Sequence, residues 1–198
     1  MLLLLSSTYC EAAAAKRPVV LFLGASETAG YGLSSTAFAF PHLVARRCGV
    51  SAQVSATPDV PTLLRRPRIP VHVGGIVIVI SFIDAYVPAP RGAVRRWLDP
   101  FVFAAPTLIV TTPRIDEMGI LAPTLAGKQR RLYAQIDRDA RVEHAARLAL
   151  VLPAPRARYL QRDGIHPNVR GDRLIARGVE SWLRGTGLCP GSRQKKGR

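Results

Sequence analysis

The sequence predicts an α/β protein, a three-layer α/β/α sandwich around a mostly parallel sheet. Three observations predict it. Several short runs are apolar on both faces, amphipathic helical stretches lie between them, and 198 residues with 48% hydrophobic content suit one domain with its own core. A strand that is apolar on both faces needs helices above and below it. Strands alternating with helices are joined by right-handed crossovers into a parallel sheet.

Residues 18–23 (PVVLFL) form an apolar run that stops at Gly24, a first buried strand. Residues 36–47 carry Phe38, Leu43 and Val44 among polar positions and end before Gly49, the pattern of a helix with a C-terminal stop. The run 76–81 (IVIVIS) is β-branched throughout its apolar part and reads as a central strand, 107–112 (TLIVTT) repeats the pattern, and 148–152 does so more weakly. Between them, 92–103 and 128–147 read as helices, the first open to a break at Pro100. The last helix covers 168–183, with Leu174, Ile175, Val179, Trp182 and Leu183 on one apolar face.

The chain divides into a leader-like segment, 1–17, a domain from about 18 to 184, and a basic tail, 185–198, read as disordered. The leader is a poor export signal. No positive charge precedes its leucines, the run stops after Leu5, and Glu11 interrupts it, which leaves export and cytoplasmic residence both open. Thr8 and Tyr9 are not the small pair that precedes a lipid-anchored cysteine such as Cys10 would be. No run of about 20 apolar residues spans a membrane.

The net charge of +15 rests on 24 arginines and four lysines. Arginine pairs recur at 46–47, 65–66, 95–96 and 130–131, dispersed along polar helix faces, which reads as a solvated surface. Nucleic-acid binding calls for a basic stripe interleaved with aromatics, and the chain is 7% aromatic without such a stripe. Cys10, Cys48 and Cys189 lack metal or redox spacing and read as free thiols, a Cys48–Cys189 bridge being the less favoured alternative. No metal or organic cofactor is implied.

Two segments carry chemistry. In GASETAGYG, residues 24–32, Ser26 stands in a glycine-rich turn directly after the first strand, where parallel sheets build their sites. Glycines let the backbone turn sharply and bring N–H groups to where an oxyanion would form. The phosphate-binding patterns G-x-G-x-x-G and G-x-x-x-x-G-K-[ST] are absent. In DGIHPN, residues 163–168, Asp163 and His166 are three apart across a Gly-containing turn just ahead of the last helix. A serine nucleophile needs a base, and the base a carboxylate that fixes its tautomer. That spacing can supply both; equally, Asp163 can be a turn residue and His166 the prelude to a helix capped by Asn168. His42, His72 and His144 have no comparable context.

Taken together, VVLFLGASETAGYGL and DGIHPNVRGDRLIA resemble the first and last blocks of the SGNH or GDSL hydrolase family, in order and position, over roughly residues 18–184. The resemblance implies the family's flavodoxin-like sandwich and an esterase or lipase-like activity without cofactor on a small-molecule, glycan or lipid ester. It implies Ser26 as nucleophile, His166 as base and then acid, and Asp163 as the orienting carboxylate. Ala25 replaces the Asp of the family name, outside the triad. The family's Gly-x-Asn-Asp corresponds to Ser81-Phe82-Ile83-Asp84, so Ile83 stands where an Asn donates to the oxyanion. A second donor, a Gly backbone, aligns with Asp59. The donors left are the backbones of Ser26 and Asp59, with Ser81, Thr57 or a nearby arginine as a substitute. Their departure supports an alternative: a catalytically weak relative that binds an anionic glycan or lipid. In the loop 113–127, Met118, Ile120 and Leu121 suit either an apolar acyl pocket or packing.

Overall fold

The computed structural model describes residues 17–88, 90, 92–120 and 122–190. Nearly all of the leader-like segment with Cys10, the end of the tail from 191, and Leu121 lie outside the described residues. In chain order the elements are β1 (Val19–Gly24), α1 (Ser26–Ala29), α2 (Phe40–Cys48), β2 (Ser51–Ala56), β3 (Val73–Ile80), α3 (Ala93–Ala104), β4 (Thr107–Thr111), α4 (Pro123–Val142), β5 (Ala146–Ala149) and α5 (Val169–Gly185). The five strands are all parallel, in the order β2-β1-β3-β4-β5. This is the doubly wound, flavodoxin-like arrangement, whose direction of winding reverses beside β1.

Period-two alternation divides the strand residues between two cores. Val20, Phe22, Val77, Val79, Leu108 and Val110 face α2 and α5. Leu21, Leu23, Ile76, Ile78, Ile80 and Ile109 face α3 and α4. Residues 76–80 are all at most 1% exposed, as a central strand covered on both sides requires. Each such side chain contributes about 1.5–3 kcal/mol by leaving water. Helices on both faces complete the three-layer sandwich.

Several boundaries differ from the sequence reading, each for a local reason. The stretch 36–47 is a 3-10 turn (Thr36–Phe38) followed by α2, because Pro41 takes a first-turn position and the helix restarts from extended Ala39. α3 runs unbroken through Pro100, which lies on the exposed face while Trp97, Leu98 and Phe101 pack beneath. α4 begins five residues early at Pro123, and the expected helical end at 143–147 is instead a turn, with His144 at φ 56°, and the start of β5. Pairing of Ala146–Ala149 with β4 overrides the helix propensity of the Ala-Ala-Arg-Leu stretch. β2 went unmarked because SAQVSA, at the sheet edge, is polar at alternate positions.

The cysteine reading is corrected. Cys48 and Cys189 form a disulfide that ties the end of α2 to the chain beyond α5. Both are buried, and Leu188 packs against the same core, so ordered chain continues past the expected boundary at 184. The pairing is non-local, between cysteines 141 residues apart, and it forms because α2 and α5 pack side by side in the same direction, start to start and end to end. Among the described residues no helix is long and apolar enough to cross a membrane, and no three His, Cys, Asp or Glu side chains group to hold a metal ion.

Candidate functional site

The site forms where β1 ends, beside the point at which the sheet's winding reverses. Gly24 closes the strand with no room for a side chain: a Cβ there would fall 1.9 Å from Thr28 Oγ1. The chain then turns through α1, whose first residue is Ser26, and leaves it at Gly30 in the left-handed conformation, φ 73°. Ser26 is 6% exposed, so its hydroxyl is held in place by its surroundings.

His166 arrives from the loop ahead of α5. Asn168 caps that helix by accepting from the N–H groups of Arg170 and Gly171, at 2.9 and 3.2 Å, and its amide donates to the carbonyls of Arg158 and Leu160. Gln161 N–H donates to His166 O at 2.8 Å and Asn168 N–H to Tyr159 O at 3.0 Å, closing 159–168 into a tight loop. The Gln161 side chain crosses to the loop that follows Ser26 and donates to Tyr31 O at 2.7 Å. Gly32 suits this place because its φ of 72° strains any side chain, and a Cβ would also lie 2.1 Å from Gln161 Oε1 and displace that amide. The Tyr31 ring packs on the His166 ring with centroids 4.8 Å apart.

These supports bring the three predicted residues into line. His166 Nε2 lies 3.0 Å from Ser26 Oγ, and His166 Nδ1 lies 2.7 Å from Asp163 Oδ2. Asp163 Oδ1 accepts from the N–H groups of Ile165 and His166 at 2.9 and 3.0 Å, so the carboxylate cannot swing away from the ring. Partial burial pushes the Asp163 pKa up, but its hydrogen bonds from the His166 ring and the two N–H groups together outweigh burial and hold it below the ordinary range. A carboxylate on Nδ1 places the ring proton there and leaves Nε2 as an acceptor facing the serine.

The residues expected to supply further oxyanion donors lie on the neighbouring turns. Asp59 is exposed on the turn after β2 at φ 64°, a left-handed conformation that favours glycine, and glycine is what the family resemblance aligns with this position. Ser81 follows β3 directly, is 1% exposed, and its N–H donates to Asp84 Oδ2 at 3.0 Å. Ile83 is half-buried on the 3-10 turn Phe82–Tyr86. Asp84 Oδ1 accepts from Leu63 N–H at 2.9 Å, so one buried carboxyl ties the turn after β3 to the chain following β2. Burial raises its pKa to about 7, against the lowering effect of those N–H bonds.

Three residues near the site carried no warning in the sequence. Arg65, part of a pair read as solvated, donates to the carbonyls of Gly24 and Ser55 and to Ser55 Oγ, bracing the ends of β1 and β2. Asp172 is fully buried in α5 and accepts from Phe40 N–H at 2.8 Å, locking α5 to the start of α2. Glu27, 4% exposed, places Oε2 3.3 Å from Ser26 Oγ. Burial raises the Glu27 pKa, opposed by its own backbone N–H and, less, by His166 and Ser26. Polar residues that act from inside a core have no periodic signature. Met118 of the loop after β4 lines a narrow apolar slot beside Glu27.

Solved structures share this arrangement of strands and helices. A Bacteroides ovatus protein described as GDSL-like superposes with a TM-score of 0.65 at 14% identity, over 88% of this chain and 55% of its own. A member of the lipolytic G-D-S-L family from Veillonella parvula does so at 0.61 and 14%, over 84% of this chain and 98% of its own. The chain has an SGNH/GDSL-type fold. A family two carbohydrate esterase from Clostridium thermocellum, solved with cellohexaose, adds a third SGNH/GDSL-type likeness, with TM-score 0.61 and 14% identity over 87% of this chain and 66% of its own. The chain thus spans little more than half of the Bacteroides protein and nearly all of the Veillonella one. No family model and no curated protein matches it.

Proposed function

We propose that the protein is a serine esterase acting on carboxylic esters, with Ser26 as nucleophile, His166 as general base and then acid, and Asp163 as the orienting carboxylate. The observation that carries this reading is the unbroken line from Ser26 Oγ through His166 to Asp163, with spacings of 3.0 and 2.7 Å. Ser26 Oγ attacks the ester carbonyl carbon, the carbonyl π pair moves onto oxygen, and the hydroxyl proton passes to Nε2. Collapse expels the alcohol, which takes the proton from His166. Water, deprotonated by His166, then releases the acid from Ser26. The oxyanion would be met by the N–H groups of Ser26 and Asp59, Ser81 N–H being already committed to Asp84.

The test is hydrolysis of a short-chain p-nitrophenyl ester together with labelling by a fluorophosphonate, in which Ser26 Oγ displaces fluoride from phosphorus. Both signals are expected in the wild type and absent in Ser26→Ala. A wild type that neither hydrolyses nor takes the label overturns the reading.

One observation favours the alternative of a weak enzyme that binds an anionic glycan. A trough of about 580 Å³ lies between the 3-10 turn after β3 and α4, lined by Tyr86, Lys128, Arg131, Gln135 and Arg138. Its lining carries three cations and no acid, and none of the three is in a salt bridge among the described residues. Tyr86, 60% exposed, offers a ring for a sugar face. Salt-sensitive binding of polygalacturonate that survives Ser26→Ala and is lost in a Lys128→Ala, Arg131→Ala, Arg138→Ala variant is the result this reading requires.

A further inference from the structure

Glu27 takes no part in the mechanism above, yet its carboxyl is, with His166, one of two side-chain hydrogen-bond partners of Ser26 Oγ among the described residues. Ser26 has one hydroxyl proton and two neighbours able to take it, His166 Nε2 at 3.0 Å and Glu27 Oε2 at 3.3 Å. We propose that Glu27 is a positioning residue that must be protonated for Ser26 to react, so that its ionisation switches the site off as pH rises. This rests on the esterase reading.

The surroundings favour the neutral form. Glu27 is 4% exposed and lines a slot whose other walls include Met118, Leu152, Ile165 and Ile175, with free space of about 20 Å³, room for about one water. No lysine or arginine pairs with it among the described residues. The titratable groups that act on it or feel its charge come from four elements: His166 ahead of α5, Asp172 in α5, Asp84 after β3 and Tyr133 in α4. Burial is the largest influence and opposes the carboxylate, His166 favours it, and a charged Glu27 would in turn raise the pKa values of Asp84, Asp172 and Tyr133.

The consequence for Ser26 follows from donors and acceptors. A protonated Glu27 presents an O–H and leaves Nε2 as the only basic acceptor for the serine proton. An ionised Glu27 competes for that proton, and a hydroxyl turned toward it cannot transfer to His166. It also sets a negative charge beside the carbon where the oxyanion forms, raising the barrier there. Glu27→Gln keeps an N–H donor and the side-chain size and removes the titration.

The experiment is the rate constant of fluorophosphonate labelling against pH, with circular dichroism at each pH to verify folding, for wild type, Glu27→Gln, Glu27→Met and Ser26→Ala. The wild-type rate is expected to fall on the alkaline side by about tenfold per pH unit, as a single ionisation does. Glu27→Gln is expected to hold its rate across that range, and Glu27→Met, apolar and of similar length, serves if the glutamine variant does not fold. A wild type with no alkaline limb, or the same limb in a folded Glu27 variant, overturns this proposal while Ser26-dependent labelling leaves the esterase reading standing. No labelling of wild type or Glu27 variants at any pH removes both.

Discussion

The loop ahead of α5 and the turn after β3 close the same sheet edge, yet they are built differently. In the first, Asp163, His166, Asn168 and Gln161 hold one another and the backbone through side-chain hydrogen bonds, and the His166 ring is fixed from both of its nitrogens. In the second, a single buried carboxyl, Asp84, organises the backbone, and the position where the family resemblance expects an amide donor holds Ile83. On the proposed esterase reading, the difference teaches that the proton-transfer half of the site is specified by side chains, and the charge-stabilising half by whatever N–H groups the turns leave free. Proton transfer and oxyanion stabilisation therefore respond to different substitutions.

Asp163→Asn is expected to have the largest effect. It keeps the shape of the loop but presents Nδ1 with the wrong partner, so ester hydrolysis falls by about 10⁴ with little loss of fold. Comparing kcat with the thermal transition of the folded variant checks this, and an activity loss below tenfold breaks the claim that side chains specify this half.

Next in size is the disulfide. Replacing Cys48 and Cys189 together with alanine is expected to cost about 2–4 kcal/mol of stability, seen as a lower urea midpoint. Because the His166 loop is held by the Asn168 cap rather than by the distant staple, kcat at 25 °C should stay within a few-fold; a large drop in kcat would show that the far end of α5 positions the site.

Ile83→Asn tests the other half. Restoring an amide donor is expected to raise kcat by about tenfold, less than the 10² to 10³ for a fully aligned donor because the turn was not built around it. An unchanged rate means that the Ser26 and Asp59 N–H groups suffice.

The last expected effect is on stability against pH rather than on rate. Asp84 and Asp172 are buried with pKa values raised to about 7 from the ordinary 3.8. The native state therefore binds more protons than the unfolded chain between about pH 4 and 7, and stability falls as pH rises through that window. Tm should be higher at pH 5 than at pH 8, and Asp84→Asn should flatten the dependence. The lowered pKa of half-exposed Asp163 acts in the opposite sense. A Tm that rises between pH 5 and 8 would count against both buried acids.

Much of the fold was legible because it rests on local pattern. Residues 76–80 and 107–111 can be buried on both faces only inside a covered parallel sheet, and Ser26 and the Asp163–His166 pair were marked by standing just after a strand and just before a helix. The misreadings came where non-local pairing beat local preference: β5 emerged from a helix-like stretch, β2 from a polar edge, and the disulfide from cysteines 141 residues apart. Glu27 and Arg65 show the same limit within the site. Each is a charged residue that local pattern assigns to water, and each is enclosed by chain far away in sequence.

By itself the sequence determined the layers, the edge on which the site stands, and three residues with the means to move a proton, because hydrophobic period and turn chemistry act over a few neighbours. Only the tertiary structure decided that Ser26 Oγ and His166 Nε2, 140 residues apart, come within 3.0 Å, and that Asp59 adopts a glycine-like turn. It alone set a buried carboxyl, Glu27, beside the Ser26 hydroxyl. Burial and the meeting of distant side chains depend on how all the layers pack at once.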